Sequence, residues 1–196
     1  MTTPTDWTAI IPFKPAGARK TRLASRLSAP QRDRLSEALF WNTVAVLATS
    51  PTVSEIVLLS RDVMPGWRHG WLRDEGQGLN AGLSLAQRTL RRKRLVVIHA
   101  DLPFVSLEDF TELVLQAANG CAVAPDRHGT GTNAIALQGL DEFSFEFGAQ
   151  SFPKHLAQAK GRARSVMRPG LSFDLDTPDD LDLAYLQGFR FDEQEP

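Results

Sequence analysis

Cysteine is almost missing from this chain: Cys121 stands alone in 196 residues. A single thiol excludes internal disulfides and cysteine-rich metal centres, and it fits a reducing compartment, so a cytoplasmic location is expected. Histidine is scarce as well. His69, His99, His128 and His155 show no His-x-x-x-His spacing, which argues against a histidine-based zinc site. An excess of either charge is also lacking, with 22 basic and 23 acidic side chains giving a net charge of -1. No global field then draws the chain to nucleic acid or to a membrane surface, and any anion binding must be local. No apolar run reaches bilayer-spanning length, and residues 1–6 contain no basic segment leading into an apolar one, so neither insertion nor export is expected. The Gly-x-x-x-x-Gly-Lys-Ser/Thr loop and the Gly-x-Ser-x-Gly elbow are both absent, which disfavours an ordinary ATPase and a serine hydrolase.

What is present alternates between strand and helix signals. Short β-branched or apolar runs at 8–13, 55–59, 95–99, 121–124, 133–138 and 171–175 read as strands. Helical patterns follow Ser28, run over 79–90, open at Ser106, cover 151–160 and span 178–186 with Thr177 as cap and Pro178 in first position. Segment 61–77, rich in Gly, Trp and charge, carries no assignable period. The alternation predicts an α/β fold, a mostly parallel sheet covered by helices on both faces, with ligands beyond the carboxyl ends of the strands. One domain over 1–188 is expected, followed by a flexible tail at 189–196.

Three carboxylates carry the chemistry. Asp101 follows the apolar run Leu95-Val96-Val97-Ile98, and Asp174 and Asp176 lie two apart in Phe173-Asp174-Leu175-Asp176-Thr177-Pro178. Side chains two apart on an extended segment point the same way and repel unless a cation lies between them, so the three together suit Mg2+ on a triphosphate. Asp101 alone fits a turn equally well, and Asp179, Asp180 and Asp182 fit the negative end-charges of a helix N-terminus. Beyond the first strand, Lys14, Arg19, Lys20 and Arg22 put four cations into nine positions, a triphosphate clamp or a solvated basic loop. The connector 126–133 offers backbone N–H groups and hydroxyls for a carboxylate or phosphate, or is a plain glycine loop. Ser151 after Gly148 can cap a helix or bind an anion; Asn80 can read a base or ribose, or cap.

In order along nearly the whole chain, these motifs resemble the guanylyltransferases of coenzyme F-420 biosynthesis. The matching residues are Ile11-Pro12-Phe13-Lys14 with Lys20-Thr21-Arg22-Leu23, Gly78-Leu79-Asn80, Ala100-Asp101-Leu102-Pro103, Pro125-Asp126 with Gly129-Thr130-Gly131-Thr132-Asn133, Phe147-Gly148 with Ser151-Phe152 and His155, and the segment 173–178. The resemblance implies a nucleotide-diphospho-sugar transferase-like fold. It further implies transfer of GMP from GTP to a three-carbon phosphorylated acid (2-phospho-L-lactate, phosphoenolpyruvate or 3-phospho-D-glycerate) with release of pyrophosphate. By position it implies Asp101, Asp174 and Asp176 as magnesium ligands, Lys14, Thr132, Gly148 and Ser151 on the acid, and Lys20, Arg22 and Asn80 on the nucleotide. A labile product would favour hand-over to the next transferase of the pathway, and a homodimer is an admissible assembly. The alternatives are a nucleotidyltransferase acting on a sugar phosphate, polyol phosphate or molybdopterin, and a non-catalytic nucleotide-binding module. Lys14-Pro15-Ala16-Gly17 in place of a Gly-x-x-x-Arg-type loop disfavours the first, and retention of the three aspartates with Lys14 disfavours the second.

Overall fold

The first strand, β1 (Trp7–Pro12), is buried from Trp7 to Ile11 and stops at a proline, beyond which the chain must turn out of the sheet. A computed structural model describes residues 6–140, 143–159 and 161–192. After β1, helix α1 (Ala29–Thr49) begins at a complete capping box in which the Ser28 hydroxyl accepts from the Gln31 N–H and the Gln31 side chain accepts from the Ser28 N–H. Then follow β2 (Val53–Ser60), β3 (Gly70–Arg73), α2 (Leu79–Leu90), β4 (Arg94–Ile98), α3 (Leu107–Gln116), β5 (Cys121–Pro125), β6 (Thr132–Gln138), α4 (Ser151–Gln158), β7 (Ala163–Ser165), α5 (Pro169–Ser172) and α6 (Pro178–Leu186). Among the described residues the strands form one sheet in the order β3-β2-β1-β4-β6-β5-β7. Only β6 runs against its neighbours, as the antiparallel partner of both β4 and β5.

Because successive strand residues face opposite sides, β1 splits its side chains between two cores. Trp7, Ala9 and Ile11 meet Phe40, Val44 and Leu47 of α1 and Phe110, Leu113 and Val114 of α3. Ile10 meets Leu83 and Ala86 of α2 with Phe143 and Phe145 on the other side. A third cluster joins Leu23, Leu27, Leu35 and Leu39 to Phe173, Leu175, Leu181 and Ala184, and so presses the loop after β1 against the chain leading into α6.

Two expectations change, and one unassigned stretch takes a structure. Residues 171–175 are not a strand: Arg168, whose Nε donates to Asp109 at 2.8 Å, leads into α5 with Pro169 in the first helical position, and a Cβ on Gly170 would overlap the Phe104 carbonyl. The unassigned stretch 61–77 holds β3, whose four residues alternate between half-buried and exposed and are too few to print a period. In place of a loose tail at 189, Phe189 and Phe191 pack half-buried on the third cluster, while residues 193–196 lie outside the described part.

Candidate active site

The carboxyl ends of β1, β2, β3, β4 and β5 and the start of β6 open on one cavity of about 680 Å³. It sits where the chain changes direction across the sheet, between β1 with β2 and β3 on one side and β4 on the other, the position where open α/β sheets bind ligands. Its wall includes Lys14, Lys20, Arg22, Asp101, Thr132, Gly148, Ser151, Asp174 and Asp176, so the sequence-predicted residues, Asn80 excepted, converge there from five separate segments.

The acidic side is built by alternation and one backbone bond. Phe173 and Leu175 point into the third core, leaving Asp174 and Asp176 facing the cavity, and the Leu175 N–H donates to the Asp101 carbonyl at 3.0 Å. Lys20 Nζ then reaches Asp101 Oδ2 at 3.0 Å and Asp176 Oδ1 at 2.9 Å, with Arg22 Nη1 3.6 Å from Asp176 Oδ2. Burial disfavours both ions of the pair, yet the attraction prevails: the two aspartates hold the Lys20 ammonium above its ordinary value, and Lys20 holds the Asp101 carboxyl below the usual range. Asp174 goes the other way. Burial and the neighbouring Asp101 carboxylate raise it, against a hydrogen bond from Asn133 Nδ2 at 3.3 Å. Lys20 adopts this position in a left-handed backbone conformation at φ 46°, unusual for a residue with a Cβ.

Among the described residues no three acidic, histidine or cysteine side chains converge into a ready metal cage. Asp101 Oδ1 is nevertheless buried without a hydrogen-bond partner, and the donors are hard carboxylate oxygens, a set that fits Mg2+.

Several neighbours have roles that spacing could not disclose. Arg19 lines the cavity yet is engaged as a scaffold: it is buried, donates to the Lys14 carbonyl at 2.8 Å and to Glu37 at 2.7 Å, and stacks over the Phe13 ring. Asn80 does not line the cavity; its amide donates to the Phe147 carbonyl at 3.0 Å and accepts from the Phe147 N–H at 2.8 Å. The N–H groups of the connector turn inward, those of His128, Thr130 and Gly131 binding the Asp126 carboxylate. Burial alone would raise that carboxyl; the three N–H bonds and the Thr130 hydroxyl lower it. A Cβ on Gly131 would come within 2.6 Å of Asp126 Oδ2, so the loop needs glycine there. Ser151 does not cap its helix; Gln150 does so by position in a left-handed conformation, which leaves Ser151 as the first helical residue, buried on the cavity wall.

Two contributors escaped the sequence reading. Asp74, following β3, and His99, following β4, both line the cavity, and strand-end position was the only signal either carried. His99 lies against the Phe147 ring, with its buried Nε2 unpaired.

Over residues 7–192 the chain matches the family model described as "Guanylyl transferase CofC like". A phosphoenolpyruvate guanylyltransferase of Sphaerobacter thermophilus is 38% identical over 186 residues, covering 89% of this chain and 90% of that relative. A second, from Rhodococcus erythropolis, is 34% identical over 204 residues, covering 92% and 90%. Among solved structures, a protein of Desulfovibrio desulfuricans assigned as a nucleotide-diphospho-sugar transferase superposes with a TM-score of 0.76 at 15% identity over 92% of this chain and 87% of that one. The 4-diphosphocytidyl-2C-methyl-D-erythritol synthase of Anaerococcus prevotii superposes at 0.61 with 15% identity, covering 92% and 96%. At these identities the structural matches speak to the fold, which is that of nucleotide-diphospho-sugar transferases.

Proposed function

The chain belongs to the CofC-like guanylyl transferase family and is a nucleotidyltransferase, and from that membership we propose that it transfers GMP from GTP to phosphoenolpyruvate in coenzyme F-420 biosynthesis. The observation that carries this reading is the polarity of the cavity, with Asp101, Asp174, Asp176 and Lys20 on one wall and Thr132, Gly148 and Ser151 on another. Phosphoenolpyruvate is favoured over 2-phospho-L-lactate and 3-phospho-D-glycerate because the named relatives act on it.

Lys14, Thr132 and Ser151 hold the acid, and Gly148 leaves room for close backbone approach; at φ 121° it takes a conformation open to glycine. Lys20 and Arg22 face the nucleotide phosphates. An oxygen of the substrate phosphate attacks the α-phosphorus of GTP in line, a new P–O bond forms, and the bond to the bridging oxygen breaks with its electron pair leaving on pyrophosphate. A phosphate dianion is already nucleophilic near neutral pH, so no side chain has to remove a proton, and catalysis rests on positioning and charge. Asp101, Asp174 and Asp176 would hold Mg2+, which when bound supplies charge neutralisation to the triphosphate. The phosphoanhydride product is labile, which supports direct hand-over to the next transferase.

The test is pyrophosphate release from purified protein supplied with GTP, Mg2+ and each of the three acids. Release is expected with phosphoenolpyruvate; turnover confined to CTP and a sugar phosphate would overturn the assignment.

A further inference from the structure

His155 is fully buried on α4, one turn after Ser151, and is not itself a lining residue of the cavity. Its ring is fixed from both ends. Nε2 lies 3.0 Å from the backbone nitrogen of Glu146 and Nδ1 lies 3.0 Å from Thr132 Oγ1. A peptide N–H can only donate, so Nε2 must be the unprotonated acceptor; a neutral imidazole then carries its proton on Nδ1 and donates it to the threonine hydroxyl. Burial pushes this imidazole down to about 4, against a smaller opposing pull from Glu146, so the ring is neutral at physiological pH. Phe143 and Phe147 close over it, with ring centroids at 5.6 and 4.9 Å.

The consequence falls on Thr132. Thr132 is nearly buried and lines the cavity, and among the described residues its hydroxyl has His155 as its one hydrogen-bond partner. Left to itself a threonine hydroxyl can donate or accept with equal ease. Accepting a hydrogen bond from His155 occupies one lone pair and leaves the hydroxyl's own hydrogen for a partner other than the imidazole, on a residue that lines the cavity. We propose that His155 is a positioning residue that keeps the Thr132 hydroxyl hydrogen free to donate to the anionic groups of the phosphorylated acid, while the Glu146 peptide fixes the tautomer that does so. The arrangement extends one step further back: the Phe147 peptide next to Glu146 is clamped at both ends by Asn80 on α2, so the N–H that orients His155 is itself held in place. Second partners of this kind, which fix a histidine tautomer and through it the group that meets the ligand, are common at sites needing a directed donor.

The identity of the ligand rests on the reading in the preceding subsection; the tautomer does not. Two measurements separate them. Long-range proton–nitrogen NMR correlation at neutral pH is expected to show His155 protonated on Nδ1 alone, and an Nε2–H tautomer or an imidazolium would overturn the proposal. In steady-state kinetics, His155→Phe and Thr132→Val are each expected to raise KM for phosphoenolpyruvate about tenfold or more, the loss of one hydrogen bond to a charged group, with KM for GTP changed less than about twofold. The double variant should be no worse than Thr132→Val, because both remove the same directed donor. His155→Asn, which keeps an amide N–H near the Nδ1 position, should restore most of the affinity. Additive single effects, or equal rises in both KM values, would overturn the proposal. The Thr132→Val and His155→Asn arms together with the tautomer measurement carry the test even if His155→Phe does not fold. Were the wild type to turn over none of the acids, the proposed reaction would fall and the NMR result would still decide the role of His155.

Discussion

Asp174 is raised because its charged form is buried beside Asp101, so at neutral pH its ionised carboxylate works against folding. On the proposed function this residue serves the chemistry and not the stability. Asp174→Asn is therefore expected to unfold at a higher temperature than the wild type, by about 0.5–2 kcal/mol of added stability, while losing turnover about a hundredfold or more. Calorimetry and pyrophosphate release on the same preparation check both halves, and a variant that is less stable and still active would remove Asp174 from the site. Asp101 and Asp176 differ, because each shares the Lys20 ammonium. Asp101→Asn or Asp176→Asn should abolish turnover with the fold intact, read by unchanged circular dichroism.

At the scale of elements, the start of α6 decides where Asp176 sits. Thr177 caps the helix, and Asp180 closes the box by accepting from the N–H groups of Asp176 and Thr177 at 2.9 and 2.7 Å while its other oxygen takes the Arg127 guanidinium. Burial alone would raise this carboxyl, and Arg127 with the two N–H donors holds it below the usual range instead. Asp180→Ala removes a cap and charge-assisted bonds together, for an expected loss of about 2 kcal/mol. That corresponds to a melting temperature lower by about 4–8 °C for a chain of this size. Because the same carboxylate anchors the Asp176 peptide, activity should fall more than the fraction unfolded; an active variant with lowered melting would show the box to be purely structural. The Thr177-Pro178-Asp179-Asp180 spacing was readable as a helix start in the sequence. The pull of Arg127 on it was not, since 53 residues separate the two and nothing local links them.

For the whole molecule the shifts combine into an acid profile. His155 has a folded value near 4 against an ordinary 6.5, so the unfolded chain binds more protons between these limits and stability falls as pH drops through that window. Asp101, Asp126 and Asp180, held below 3.8, add losses at lower pH, and raised Asp174 offsets a part by gaining a proton in the folded state. Chemical denaturation between pH 7 and 4 should therefore show stability already declining near pH 6. The His155→Asn variant should flatten that slope, and an unchanged slope would place its origin elsewhere.

By itself the sequence determined what local rules can determine. Apolar and β-branched runs marked β1, β2, β4, β5 and β6, Ser28, Ser106 and Thr177 opened their helices with capping boxes, and strand-end position exposed Asp101. The spacing of Asp174 and Asp176 also sufficed to put both carboxylates on one side, because two-residue periodicity is a property of extended backbone whether or not it joins a sheet. The tertiary structure decided which polar groups are consumed and which are presented. Arg19, Asn80 and the N–H groups of residues 128–131 looked available along the chain, and folding turned each of them onto another part of the protein. Thr132 meets its orienting histidine across 23 residues for the same reason: a buried hydrogen-bonding group must find a partner, and that partner is chosen by packing in space and not by distance in sequence.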